Sequence, residues 1–398
     1  FDVHDVPPAE VQQDYAISHQ KLCLKSPFIE VPFALQIRRL FMHTTQRISF
    51  AKIHFFIGLD AHLRNWKVTI RLEGLELKTF SMNPSPLELI AYLQKHYPDG
   101  IYHIVYEAGF CGFWALRIFH QHNIDCIIVN PADVPTTNKE KVNKSDPIDS
   151  RKLARTHENK DLHGIYIPDA FHEELRALMR LRYRIIQSQT RIKNRIKGLL
   201  YTQGIQIPLQ FSGRARWSHP FILWLQQLQL GTSAGNFTIQ NLILQLSEIR
   251  QHNKNVLQQL RTEARHPDIA PIIKVLQGVP GVAFITAMYL YTEIMDMKRF
   301  ANDNHLVSFV GLVPSTQSSD TTVHINGISV RQNPFLRTMM IESAWTAVRE
   351  DPALTLKFKE LTKRMNSQNA IIRIAKKLVT HVRHVSLKQE EYVYALVA

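Results

Sequence analysis

A chain of 398 residues has room for two or three domains of ordinary size, at ~150 residues each. It is 45% hydrophobic, with 20 Phe, 12 Tyr and 5 Trp, which is enough for a sizeable core and excludes disorder as the dominant state. The 48 Lys and Arg outnumber the 34 Asp and Glu, giving a net charge of +14 and a pI near 9.6, so a polyanionic partner, usually nucleic acid, is expected ahead of a merely basic surface. No uninterrupted apolar run reaches the ~18 residues of a spanning helix, so no membrane is expected. Cys23, Cys111 and Cys126 lack C-x-x-C spacing and form no framework, which fits a reducing compartment. The histidines are scattered, with no H-E-x-x-H and no Cys/His quartet, so no structural zinc is expected.

Residues 1–41 show no steady period and no signal-peptide shape. Met42 reads as the natural start of a domain, so 1–41 is expected to be an extension, disordered or upstream of the true start. IHFFIGLD (53–60) is a dense apolar run ending in an acid, the pattern of a buried central strand. WKVTIRLEG and LELKTFSM, with Gly74 between them, read as antiparallel hairpin strands. PSPLELIAYLQKHY (84–97) reads as a helix capped by Ser85 with Pro86 at its first position. YHIVYEAG (102–109) is a short strand ending at Glu107, FWALRIFHQH (113–122) an amphipathic helix, and DCIIVNP (125–131) a further core strand. The order predicts an α/β domain with a mixed sheet and helices packed on it.

Asp60 and Glu107 sit where strands leave that core. KVNKSDPIDSRKLARTH (141–157) then opens a helix at Pro147 and places Asp146 and Asp149 on one face of its first turn. Locally, Asp146 reads as an N-cap and Asp149 as the partner of a capping box, and each strand-end acid alone as a solvated carboxylate. Four acids at one end of one sheet repel one another unless cations compensate, and carboxylate oxygens suit hard cations such as Mg²⁺ or Mn²⁺. Four carboxylates support two ions on opposite sides of a phosphodiester. Asp–Glu–Asp–Asp on such a sheet resembles the RNase H superfamily and its RuvC-like branch.

FHEELRALMRLRYRIIQSQTRIKNRIKGLLYTQG (171–204) keeps helical apolar spacing and stops at Gly204. Arg176, Arg180, Arg184, Arg191, Lys193, Arg195 and Lys197 cover much of the remainder, and no Asp or Glu occurs from Leu175 through Ser247. One-signed charge over such a span favours a phosphate backbone over a solvated face. A second long helix is expected at 236–265, and the pair as an antiparallel hairpin or coiled coil, a common dimerisation device. IIKVLQGVPGVAFITAMYLYTEI (272–294) resembles a helix-hairpin-helix whose glycine turn offers backbone N–H groups to phosphate, although a bare turn explains it nearly as well. A Ser/Thr-rich loop is expected between FVGLVP and an Arg-bearing helix. Serines there are ordinary loop residues unless a metal, base or cation activates one, for which Arg331, Arg337 and the acidic cluster are the candidates.

GLDAH, YEAG, KSDPIDSRKLA, LQGVPGV, FVGLVPS, FLR…ESAW and AIIRIAKKL occur in this order from Ile53 to about residue 392. Their order and spacing resemble the DEDD-type transposases of bacterial insertion sequences, the one-ten/eleven-eleven family. The resemblance implies a RuvC-like domain at 42–165, a coiled-coil arm at 166–268 and a mostly helical transposase domain at 269–398. It places the metal-binding tetrad on Asp60, Glu107, Asp146 and Asp149. It implies a serine nucleophile, for which Ser319 aligns best and Ser318 is the neighbouring register; Asp320 stands where the family commonly has glycine. Val330 and Gln332 flank Arg331 where the family usually has a basic residue and a glycine. Double-stranded DNA, a non-coding bridge RNA, a homodimer or tetramer, and a cytoplasmic, nucleoid-associated location are implied with it. The alternatives are a RuvC-like junction endonuclease using water, and an inactive basic nucleic-acid-binding protein.

Overall fold

The computed structural model describes residues 49–135, 146–319, 322–328 and 333–394, so the expected extension at 1–41 lies outside the described residues. The chain divides into two compact units, before and after the Ile165–Tyr166 bond.

The first unit is a five-stranded sheet in the order β3-β2-β1-β4-β5. The strands are β1 (His54–Ala61), β2 (Trp66–Leu72), β3 (Leu75–Met82), β4 (Ile101–Glu107) and β5 (Asp125–Val129). β1, β2 and β3 form an antiparallel meander, while β4 and β5 run parallel to β1. Among the described residues three helices accompany the sheet: α1 (Pro86–His96), α2 (Trp114–Gln121) and α3 (Asp146–Glu158). Ser85 caps α1 as expected, its hydroxyl accepting from the Glu88 amide, and Pro86 occupies the first position. Period-two alternation divides β1 between two faces. Phe55, Ile57 and Leu59 are buried on one, with Phe55 against Tyr97 at the end of α1. His54, Phe56, Gly58 and Asp60 alternate onto the other, where α3 lies.

Gly58 is where α3 meets the sheet. A Cβ there would stand 2.5 Å from the Ala154 amide nitrogen and closer still to the Ser150 carbonyl oxygen. The Ser150 hydroxyl also hydrogen-bonds Thr69 on β2 at 2.9 Å, beside Gly58 in the register. At the far end of α3, Glu158 accepts from Arg71 Nε at 2.7 Å and from the Gly74 amide at 2.7 Å. These contacts orient the helix: its N-terminus lies toward the C-terminal ends of β1 and β4, and its C-terminus toward their starts.

Among the described residues the second unit is helical apart from one hairpin. It begins with two long helices, α4 (Ala170–Thr202) and α6 (Ser233–Glu263), joined through turns and the short helix α5 (His219–Gln227). Leu175 and Met179 of α4 meet Leu260 of α6 in one cluster, and Ile192, Ile196 and Leu200 meet Ile239, Ile243 and Leu246 in another, so the two helices are antiparallel. Gly204 ends α4 with φ +67°, the left-handed conformation that glycine adopts without cost. The first cluster continues into α7 (Ala270–Gln277), α8 (Phe284–Ile294), α9 (Asp303–Val310), α10 (Pro334–Glu350), α11 (Pro352–Thr362) and α12 (Ser367–Lys388). The proximal ends of α4 and α6 therefore belong to the same core as the C-terminal helices. No helix among the described residues is long and apolar enough to cross a membrane.

The expected Ser/Thr-rich loop is instead a hairpin, β6 (Pro314–Ser319) paired antiparallel with β7 (Thr322–Ile328). Thr, Val and Ile of TVHINGI favour strand, and composition alone hid their pairing partner.

Candidate active site

Asp60 and Glu107 close β1 and β4 on the face that α3 covers. The parallel register runs Gly58↔Val105 and Leu59↔Tyr106, and Asp60 and Glu107 are the next residue on each strand. Neighbouring strands lie about 4.8 Å apart, so these two carboxylates share one sheet end. The start of α3, with Asp146 as its first residue and half-buried Asp149 one turn on, comes to the same end. The side chain of Asp146 lies outside the described residues. Asp60 Oδ2 is 3.0 Å from His62 Nε2. Among the described residues no group of three or more His, Cys, Asp or Glu side chains stands close enough together to hold a metal. The backbone thus brings three elements of the tetrad to one place, while the described carboxylates do not close on a common point. An all-oxygen donor set of this kind has the chemistry that Mg²⁺ or Mn²⁺ requires.

His62 was not singled out from the sequence, although it belongs to the GLDAH motif. Its signal is the i, i+2 spacing, which puts alternate residues on one side of an extended chain.

Ser318 and Ser319 are the last two residues of β6, across from Val323 and Thr322. Arg331 lies outside the described residues. Arg337 stands half-buried on α10, where burial pushes its guanidinium below the usual range. Asn333 precedes α10; its amide donates to the Phe309 carbonyl at 3.1 Å, and its Oδ1 caps α10 by accepting from Phe335 and Leu336.

The basic helix separates into two groups. Arg184, Arg191, Arg195 and Lys197 are exposed. At 100° per residue the three arginines fall within about 20° of one line and extend over about 16 Å of the axis. Lys193 lies half-buried over Trp217, 5.6 Å from the ring centre, and burial pushes its ammonium down. Arg176 is half-buried and likewise pushed down, by burial first and then by Arg180. Arg180 departs from the expectation of a phosphate contact. It forks onto the buried carboxylate of Glu293 at 2.7 and 2.8 Å, and the same carboxylate accepts from Asn333 Nδ2 at 2.8 Å. A guanidinium satisfied in this way is a structural ion pair. Its partner lies 113 residues along the chain, beyond any local pattern.

The glycine turn at 278–281 also departs from expectation. Gly278 N–H bonds within its own helix, and Gly281 N–H donates to Glu350 at 2.8 Å. A Cβ at Gly281 (φ +74°) would collide with the Ser343 carbonyl and stand 2.9 Å from the Ala347 amide. The turn is a packing device against α10, and these two N–H groups are already occupied.

A mixed five-stranded sheet with acids gathered at one end of a helix-covered face, joined to a largely helical C-terminal part, is compatible with an RNase H-like DEDD domain. A family model for DEDD-type IS110 transposases matches residues 57–203, and one described as the transposase IS116/IS110/IS902 family matches residues 273–359. The chain belongs to this family of insertion-sequence transposases. It is 28% identical over 299 residues to the putative transposase y4rJ of Sinorhizobium fredii, covering 69% of this chain and 74% of the relative. Against the transposase for insertion sequence element IS1111A of Coxiella burnetii the identity is 26% over 295 residues, covering 73% and 79%. Against the putative transposase y4qE of Sinorhizobium fredii it is 27% over 241 residues, covering 61% of this chain and 57% of that relative.

Proposed function

We propose that the chain is a DNA recombinase that cuts and rejoins strands of an insertion sequence. Asp60, Glu107, Asp146 and Asp149 hold Mg²⁺ or Mn²⁺, and Ser319 is the nucleophile, with Ser318 as the neighbouring register. The observation carrying this reading is the convergence of Asp60, Glu107 and the α3 N-terminus on one end of one sheet face, in a member of the DEDD-type family. Held by these carboxylates, a divalent ion would supply positive charge against the negative charge that develops in phosphoryl transfer. His62 holds the Asp60 carboxylate. The Arg184–Arg191–Arg195 stripe grips nucleic-acid backbone without reading sequence. The serine hydroxyl oxygen bonds to phosphorus, its proton passes to solvent, and the bond to the 3′ oxygen breaks, so the energy of the phosphodiester is kept for rejoining. The partners in this reading are double-stranded DNA, a bridge RNA that pairs with donor and target, and further copies of this chain.

The experiment is metal-dependent cleavage of double-stranded DNA by wild type and Asp60→Asn. The variant loses cleavage while its melting midpoint stays within about 2 °C, because an amide at a strand end costs little stability. Wild-type cleavage by the variant would overturn the assignment.

A further inference from the structure

The sheet face that carries the acids has a second end. His54 lies six residues before Asp60 on the same strand face, about 20 Å away at a strand rise near 3.3 Å per residue. There a cavity of about 650 Å³ opens, and its lining includes His54, Phe56, His103, His157, Lys160 and His163. All of these residues belong to the first unit.

The lining of the cavity is aromatic. His103 Nδ1 is 2.7 Å from Asp125 Oδ2, and His103 Nε2 is 2.8 Å from His54 Nδ1. A carboxylate only accepts, so His103 Nδ1–H donates to Asp125, and in the neutral tautomer His103 Nε2 accepts from His54 Nδ1–H. That chain fixes both rings and leaves His54 Nε2 as an acceptor at the rim. The two imidazoles are nearly parallel, at 9° with centres 5.1 Å apart. With touching nitrogens only 2.8 Å apart, they lie edge to edge in one plane rather than face to face. Phe56 stacks against His103, at 20° with ring centres 5.1 Å apart. His157 stands as a wall, at 75° to His103 and 84° to Phe56. Its Nε2 is buried and has no hydrogen-bond partner among the described residues. Burial also pushes its imidazole down, so at neutral pH it is uncharged. Exposed Lys160 and His163 stand on the rim.

An aromatic, histidine-rich lining with a cation at the rim fits one chemical class, a nucleobase with its phosphate. We propose that this cavity receives an unpaired nucleobase of the nucleic acid the protein handles, stacked on the His54 and Phe56 rings, with its phosphate at Lys160. The inference rests on the recombinase reading for where such a base comes from, and unpaired RNA and unpaired DNA are both sources. A transition metal fits less well, since among the described residues no three of these side chains stand close enough together to ligate one.

The test uses the full chain and ethenoadenosine 5′-monophosphate, a fluorescent nucleotide too small to span the arginine stripe of α4. Saturable binding by anisotropy is expected, with His54→Ala and Phe56→Leu each weakening it about tenfold, the size of one lost base–ring contact. His54 is exposed, so His54→Ala keeps its fold even if Phe56→Leu does not. Six-nucleotide single strands of RNA and of DNA, each with and without an abasic position, then show which backbone is preferred. Absence of saturable nucleotide binding, or equal affinity in wild type and His54→Ala, overturns the proposal. Strand cleavage plays no part in this assay, so the pocket fails or stands separately from the Asp60→Asn test.

Discussion

Gly58→Ala is a single methyl group placed where the acids depend on helix position. The new Cβ stands 2.5 Å from the Ala154 amide nitrogen and closer to the Ser150 carbonyl, while ordinary contacts begin near 3.4 Å. Both neighbours are backbone, so neither yields by a change of rotamer. Helix α3 must therefore retreat from β1 by about 1 Å, an overpacking that costs roughly 1–3 kcal/mol. In a domain of this size that lowers the melting midpoint by roughly 4 °C per kcal/mol. The functional loss is larger than the loss of stability. Asp146 and Asp149 ride on the moving helix and Asp60 on the strand, and a misplacement of about 1 Å costs on the order of a hundredfold in rate. Melting by circular dichroism, with cleavage rate measured well below the midpoint, separates the two effects. A Gly58→Ala protein with wild-type midpoint and wild-type rate would refute the packing argument and with it the positioning of α3.

Two further outcomes follow from the electrostatics. Replacing Arg184, Arg191 and Arg195 by Gln weakens nucleic-acid binding for every sequence alike and flattens log affinity against log salt by about one unit per lost phosphate contact; an unchanged slope returns the stripe to an ordinary solvated helix face. Burial pushes the His157 and His381 imidazoles below their ordinary value, so the folded protein resists protons that the unfolded chain takes up near pH 6.5, and stability is flat above that pH and falls as pH drops through the lowered folded values. His157→Asn with His381→Asn makes the urea midpoint less sensitive to acid between about pH 6.5 and 5, and an equal acid slope contradicts the assignment.

What the sequence makes legible here is set by range. β1 is readable from IHFFIGLD because a buried strand ending in an acid is a local pattern, and α1 from Ser85 and Pro86 because capping acts within one turn. α4 is readable from its apolar spacing, and the observed Ala170–Thr202 differs from expectation by a residue or two at each end. Pairings across the chain are not readable in this way. Arg180 looks like its exposed neighbours until Glu293 and Asn333 are folded onto it. Gly281 looks like a phosphate-binding turn until Glu350 and Ser343 occupy it. The scattered histidines suggest nothing until the register of β1, β4 and β5 gathers His54, His103 and Asp125.

The central claim is that a serine of the β6–β7 hairpin attacks DNA under the control of the first unit's carboxylates. Trapping protein–DNA adducts on denaturing gels, with Mg²⁺ present, tests it most directly in wild type, Asp60→Asn, Ser318→Ala and Ser319→Ala. The account predicts a covalent adduct with wild type and Ser318→Ala and none with Ser319→Ala or Asp60→Asn. Loss confined to Ser318→Ala and Asp60→Asn moves the nucleophile by one position. DNA cut by wild type with no adduct in any variant makes water the nucleophile and contradicts the account.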